Sequence, residues 1–272
     1  MADNRPIGVF DSGLGGLTVV KELQRILPNE DIIYFGDTGR VPYGNRSEDT
    51  IKRYAKEDES FLLKQDVKVI IAACGTVSSV AADVSKSLPI PFFEVVSPAS
   101  RQAVKITSNK KIGVIGTAAT VKSEKHKEYI LKDIPDAQVT AKSCPLFVPL
   151  VEEGWYSMDD VVVMETVKRY LKPLIENGVD TLILGCTHYP VLENAIAKVM
   201  GDGVNLINAG TATANAVFEF LKSNNQLNDG EITGNIKFYV SDKADSFKLE
   251  AESLLGCEID DSEVKQVNLS SL

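Results

Sequence analysis

The chain has 272 residues, 44% hydrophobic and 25% charged, with 38 acidic against 29 basic residues and a formal net charge of −9. This is the composition of a folded globular protein, long enough for one large domain or two smaller ones and for a core that needs neither disulfides nor a structural metal. The acidic balance argues against nucleic acid and anionic membrane as partners. No apolar stretch reaches the roughly 18–20 residues of a membrane helix. The opening MADNRPIGVF lacks the basic and apolar regions of a signal peptide, so a cytoplasmic protein is expected.

From the N-terminus onward, short β-branched apolar runs alternate with longer amphipathic ones. Residues 7–10 form the first expected strand. It is followed by the glycine-rich turn Asp11-Ser12-Gly13-Leu14-Gly15-Gly16 and a helix over 17–27. Glycines there permit close backbone approach to a ligand, and free amides can hold a carboxylate or phosphate. A plain turn and cap is the alternative. The dinucleotide fingerprint is not met, because Leu17-Thr18 stand where its last glycine belongs. A second strand over 32–35 leads to a loop with Pro42-Tyr43-Gly44, then a helix over 48–65 and a strand over 69–73.

That third strand ends at Cys74, with Gly75, Thr76 and a helix over 77–87 behind it. A strand over 92–96 meets Pro98, where the extended residue before proline and a new helix start suggest a crossing between lobes. Strands over 112–115 and 139–141 flank Gly116-Thr117-Ala118-Ala119-Thr120 and a helix over 123–132. The adjacent carboxylates Glu152 and Glu153 precede Gly154-Trp155 and read equally well as a solvated turn. After a helix over 160–176, the strand 182–185 ends at Cys186, with Thr187 and His188 next. Helices over 191–200 and 212–222 and strands over 204–207 and 236–240 complete the pattern.

Strand–helix alternation with continuously apolar strands predicts an α/β fold of parallel sheets flanked by helices. The two Cys contexts echo each other: buried strand, small residue, Cys, then Thr close behind. The echo suggests two similar lobes with the site in the cleft between them. One lobe would comprise residues 1–97 plus 208–272, the other 98–207. In open α/β sheets, ligands bind at the carboxyl ends of strands. A helix N-terminus should lower the pKa of each thiol, although a lone buried Cys is more often a small apolar residue. Cys144 and Cys257 lack the flanking pattern and read as structural. His188 could stabilise the Cys186 thiolate or relay its proton. With only His126 besides it and no close cysteine pair, zinc spacing is absent.

Taken together, Asp-Ser-Gly-x-Gly-Gly at 11–16, Val-Pro-Tyr-Gly at 41–44, Ala-Cys-Gly-Thr at 73–76, Gly-Val-Ile-Gly-Thr-x-x-Thr-Val-Lys-Ser at 113–123 and Gly-Cys-Thr-His-Tyr-Pro at 185–190 resemble the glutamate racemases of the aspartate/glutamate racemase superfamily. The match runs from residue 7 to about 210, in the family's order and spacing. It implies a substrate, L- or D-glutamate, buried between two lobes, with no PLP and no metal. It also implies a homodimer and a role supplying D-glutamate for peptidoglycan. Carried over residue by residue, Cys74 and Cys186 are the acid/base thiols. Asp11, His188 and Glu153 assist them, and Ser12, Tyr43, Gly44, Gly75, Thr76, Thr117, Thr120, Thr187 and His188 line the substrate site together with Asp11. Gly75 departs from the Asn usual in the family, so a side-chain contact to substrate is missing there. The rival readings are an aspartate or hydantoin racemase of the same superfamily, a two-lobed amino-acid-binding module, and a cysteine hydrolase using Cys186 and His188. That last pair is only two residues apart and leaves Cys74 unexplained.

Overall fold

A computed structural model describes residues 2–230 and 232–268. The first sheet takes β1 (Ile7–Asp11), β2 (Ile32–Gly36), β3 (Val69–Ala72) and β4 (Phe92–Glu94) from the N-terminal part, and β9 (Ile236–Val240) and β10 (Val264–Gln266) from the C-terminal part. Its order is β10-β9-β2-β1-β3-β4. The second sheet takes β5 (Lys111–Gly116), β6 (Gln138–Ser143), β7 (Thr181–Leu184) and β8 (Asn205–Asn208), in the order β6-β5-β7-β8. Every pairing in both sheets is parallel.

The inner order β2-β1-β3-β4 and the order β6-β5-β7-β8 are the same winding. β1 therefore corresponds to β5 and β3 to β7, so the echo between the two Cys segments is a topological equivalence. In each sheet the two strands that lead to the site lie side by side with their chain paths diverging, the crevice where doubly wound sheets take ligands.

Helices fill the connections: α1 (Leu17–Ile26), α2 (Glu48–Leu63), α3 (Gly75–Val80), α4 (Val96–Ile106), α5 (Ala118–Ser123), α6 (Lys125–Asp133), α7 (Phe147–Glu152), α8 (Val161–Glu176), α9 (Glu193–Met200), α10 (Ala209–Ser223) and α11 (Ala244–Leu255). Their starts follow local chemistry. Ser47 accepts the Thr50 amide ahead of α2, Asp160 those of Val162 and Val163 ahead of α8, and Asn208 those of Gly210 and Thr211 ahead of α10. The expected helix over 123–132 is two helices, because Glu124 adopts φ 54° and turns the chain between α5 and α6. The segment expected as one helix over 77–87 is α3, starting earlier at Gly75, followed by a separate 3-10 turn at Val84–Ser87.

At the first crossing the helix begins at Val96 rather than Pro98. The Glu94 carboxylate accepts the Val96 and Ser97 amides at 2.5 and 2.9 Å, which ends the strand two residues early and leaves Pro98 in the first turn, where no donor is needed. α10 packs on α1 and α4 between the sheets. One apolar cluster there joins Ile7, Val9, Val69 and Ile71 of the first sheet to Ile112, Val114, Ile183 and Ile207 of the second. Separate cores lie on the outer faces, around Phe35 and Phe61 in one sheet and Phe147 and Leu171 in the other. Among the described residues no helix is long and apolar enough to cross a membrane.

Candidate active site

Cys74 follows β3 by two residues as the residue capping α3, and Cys186 follows β7 by two residues ahead of a 3-10 turn at Tyr189–Leu192. Both are buried, 5% and 7% exposed. They face each other across the junction of the lobes: a methyl group on Gly75 would lie 3.7 Å from Cα of Cys186.

The surroundings of the two sulfurs differ. The Cys74 thiol donates to Ser12 Oγ at 3.6 Å. Burial and the neighbouring Asp11 carboxylate push it up to about 12, against the smaller pull of the Val77 amide and Ser12. The expected lowering by a helix terminus does not prevail here, because α3 is a short helix of six residues and the thiol is desolvated. Cys186 Sγ lies 3.9 Å from His188 Nδ1, and His188 Nε2 lies 3.1 Å from Glu152 Oε1. Burial alone would lower the imidazole; its hydrogen bonds to Cys186 and Glu152, with the Asp11 charge, override this and raise it to about 10. His188 is therefore an imidazolium at neutral pH.

Asp11 closes β1 and is 1% exposed. Its Oδ2 accepts the Gly13 amide at 2.9 Å, while Oδ1 is buried without a hydrogen-bond partner. Burial raises this carboxyl, opposed by His188 and by the Gly13 and Gly16 amides. Tyr34 fixes the same turn by donating to the Gly13 carbonyl at 2.7 Å. Gly15 is required by close approach: a methyl group there would lie 2.2 Å from Thr187 Oγ1 and 2.7 Å from the His188 ring. Thr18 adds a second tie, donating to the Thr187 carbonyl at 2.9 Å.

Hydroxyls bridge the lobes on the other side. Thr76 Oγ1 is 3.1 Å from Thr117 Oγ1, which is 3.0 Å from Thr120 Oγ1, and Gly44 packs on Thr117. The expected residues Asp11, Ser12, Gly44, Cys74, Gly75, Thr76, Thr117, Thr120, Cys186, Thr187 and His188 thus gather at one place.

Two expected residues do not sit as foreseen. The carboxylate on the imidazole is Glu152, the last residue of α7; Glu153, one position on, is exposed and caps the helix end. Adjacent identical residues point in different directions on a helix, and with α7 unrecognised nothing in the sequence separates them. The hydroxyl of Tyr43 is buried between Asp37 and Asp58, the latter at 3.1 Å, in a network that Arg40 completes with Asp37, Glu57 and Asp58. It braces the loop rather than offering a free hydroxyl. Among the described residues no group of three or more His, Cys, Asp and Glu is gathered as metal ligands would be.

These features define a class, a two-lobed α/β protein that brings two thiols, an imidazolium and a buried carboxylate to the junction of equivalent sheets. The Asp/Glu/hydantoin racemase model matches residues 7–217. A glutamate racemase from Geobacter metallireducens is 43% identical over 98% of both chains, and one from a Sulfurihydrogenibium species is 46% identical over 98% of both. The crystal structure of glutamate racemase from Francisella tularensis in complex with D-glutamate superposes with a TM-score of 0.90 at 40% identity, covering 99% of this chain and 100% of that one. The chain belongs to the Asp/Glu/hydantoin racemase family.

Proposed function

We propose that this protein interconverts L- and D-glutamate without a cofactor, by moving the Cα proton between Cys74 and Cys186. The observation that carries the reading is the pair of buried thiols at equivalent strand ends of two lobes that meet there. Racemisation removes a proton from one face of Cα and delivers one to the other. Opposed bases do this without moving around the substrate, one as thiolate base and one as thiol acid. The Cα proton of an amino acid is very weakly acidic, so the carbanion-like transition state needs donors in a water-poor cleft. Backbone amides beside Ser12, Cys74 and Cys186 supply them, with the hydroxyls of Thr76, Thr117, Thr120 and Thr187. Asp11 Oδ1 is suited to the substrate ammonium. His188, held by Glu152, keeps a positive charge beside Cys186; Glu152 takes the assisting role expected of Glu153.

The lobe division into residues 1–97 plus 208–272 and 98–207 agrees with this reading, as does a homodimer. The chemistry needs reduced thiols, and all four cysteines are free, which fits a cytoplasmic enzyme supplying D-glutamate to peptidoglycan synthesis.

The test incubates metal-free, PLP-free protein with L-glutamate in D2O and follows optical rotation together with Cα deuterium by NMR. Loss of rotation with deuterium in the product is expected, abolished by Cys74→Ala and by Cys186→Ala. Activity on L-aspartate alone would keep the mechanism and change the substrate. No exchange with any amino acid would reduce the protein to a binding module. Sedimentation of the pure protein tests the dimer.

A further inference from the structure

The residue after Cys74 and the residue before Cys186 are both glycines, and they touch. A methyl group on Gly75 would lie 2.4 Å from the Gly185 carbonyl oxygen, a backbone obstacle that no rotamer change relieves. We infer that Gly75 and Gly185 are the closing stop of the cleft, positioning residues whose backbone contact sets how near the two thiols come. This rests on the two-thiol reading above.

Neither side can yield within its own lobe. The Gly185 amide donates to the Ile115 carbonyl at 2.7 Å, and Gly185's own Cα is backed by that carbonyl and by the His126 ring. His126 is itself fixed: its Nδ1–H donates to Ser100 Oγ at 2.9 Å, and Ser100 donates on to the Val96 carbonyl at 2.8 Å. On the other side, the Gly75 carbonyl accepts from Ser79 Oγ at 2.6 Å, and the Ala73 amide is bound to Phe10 of β1 at 2.9 Å. A side chain at position 75 is therefore relieved by parting the lobes. Going from 2.4 Å to the roughly 3.4 Å of an ordinary carbon–oxygen contact takes about 1 Å. Since both thiols are buried, substrate enters only when the lobes open, and the geometry at reclosure is the one that reacts. The Gly75 departure thus allows a closer approach at this point than an asparagine would.

The experiment compares wild type with Gly75→Ala and Gly75→Asn in two ways. Steady-state rates on L- and D-glutamate should show kcat falling by roughly ten- to a hundredfold with KM little changed, as expected for a displacement of about 1 Å between reacting groups. Alkylation by iodoacetamide, followed residue by residue by mass spectrometry, should speed up at Cys74 and Cys186. Cys144, buried in the core of the second lobe, should keep its wild-type rate, with exposed Cys257 as the reference. Unchanged kcat and unchanged alkylation in Gly75→Ala overturn the stop. Faster alkylation at Cys144 as well overturns it too, because the strain would then have been relieved inside a lobe. A wild-type protein inactive on glutamate would sink the functional reading while the alkylation arm still tests the contact.

Discussion

The chain holds only two histidines, and the structure places them in opposite states. His188 is raised to about 10 despite its burial, by Cys186, Glu152 and Asp11. His126 is lowered to about 4 by burial alone. Between pH 6 and 8, one ring should be an imidazolium and the other neutral, and the two 13Cε1 resonances of labelled protein should barely move. The linkage signs are opposite. The stability His188 contributes is complete below its ordinary 6.5 and is lost as pH rises through about 10. His126 costs stability as pH falls from 6.5 towards 4, because the unfolded chain takes up the proton first. Glu152→Gln removes one carboxylate 3.1 Å from Nε2; its side chain is 44% exposed, so water screens the pair. At a dielectric near 80, a 3.1 Å pair is worth about 1.3 kcal/mol, which is about one pH unit. The His188 resonance should therefore titrate about one pH unit lower in Glu152→Gln, still above neutrality, with a smaller effect from Glu153→Gln. A wild-type His188 titrating near 6.5, or a larger drop from Glu153→Gln, would refute this electrostatic account.

Two further predictions concern the frame. Lys68 is fully buried, paired with Glu30 at 2.6 Å and donating to the carbonyls of Asp3 and Gln226; Lys68→Met strands that carboxylate and should lower stability in urea by about 3–5 kcal/mol, with partial recovery on adding Glu30→Gln. Asp180 accepts the Ser108 and Asn109 amides and the Thr107 hydroxyl at the turn between α4 and β5. Asp180→Ala should cost about 1–3 kcal/mol at neutral pH. Asp180 is held at about 2 by these donors in spite of burial, so the wild-type advantage should persist above pH 3.8 and fade as pH drops through 2.

The parallel strands were legible because strands covered on both faces are written as unbroken apolar runs, and their ends locate the thiols. What escaped had weak local signals. α11 buries only Phe247 and Ala251 and starts at a left-handed lysine, and β10 is a three-residue edge strand with little burial. α7 shows too short a stripe to be read, and with it went the choice between Glu152 and Glu153. Motif spacing identified Tyr43 but not its burial against Asp37 and Asp58, because Arg40, Glu57 and Asp58 approach it only through the packing of α2. The Gly75–Gly185 contact joins positions far apart in the chain, and each glycine looks ordinary in its own segment.

The lobes are equivalent in winding, yet their sulfurs are not equivalent in charge, and a reversible two-thiol exchange has to reconcile the two. Cys74 faces a carboxylate; Cys186 faces an imidazolium. A thiolate at Cys74 beside an ionised Asp11 is unfavourable in the ligand-free protein. The substrate supplies the correction: an ammonium on the unpartnered Asp11 Oδ1 cancels that charge as the cleft closes. Asp11→Asn separates the two effects. In the ligand-free protein it removes a like charge, so Cys74 should be alkylated at lower pH than in wild type. With glutamate it removes the counter-charge for the ammonium, so KM should rise in both directions. An alkylation profile at Cys74 that does not shift would show that burial alone holds the thiol up, and that Asp11 has no electrostatic part in balancing the two sulfurs.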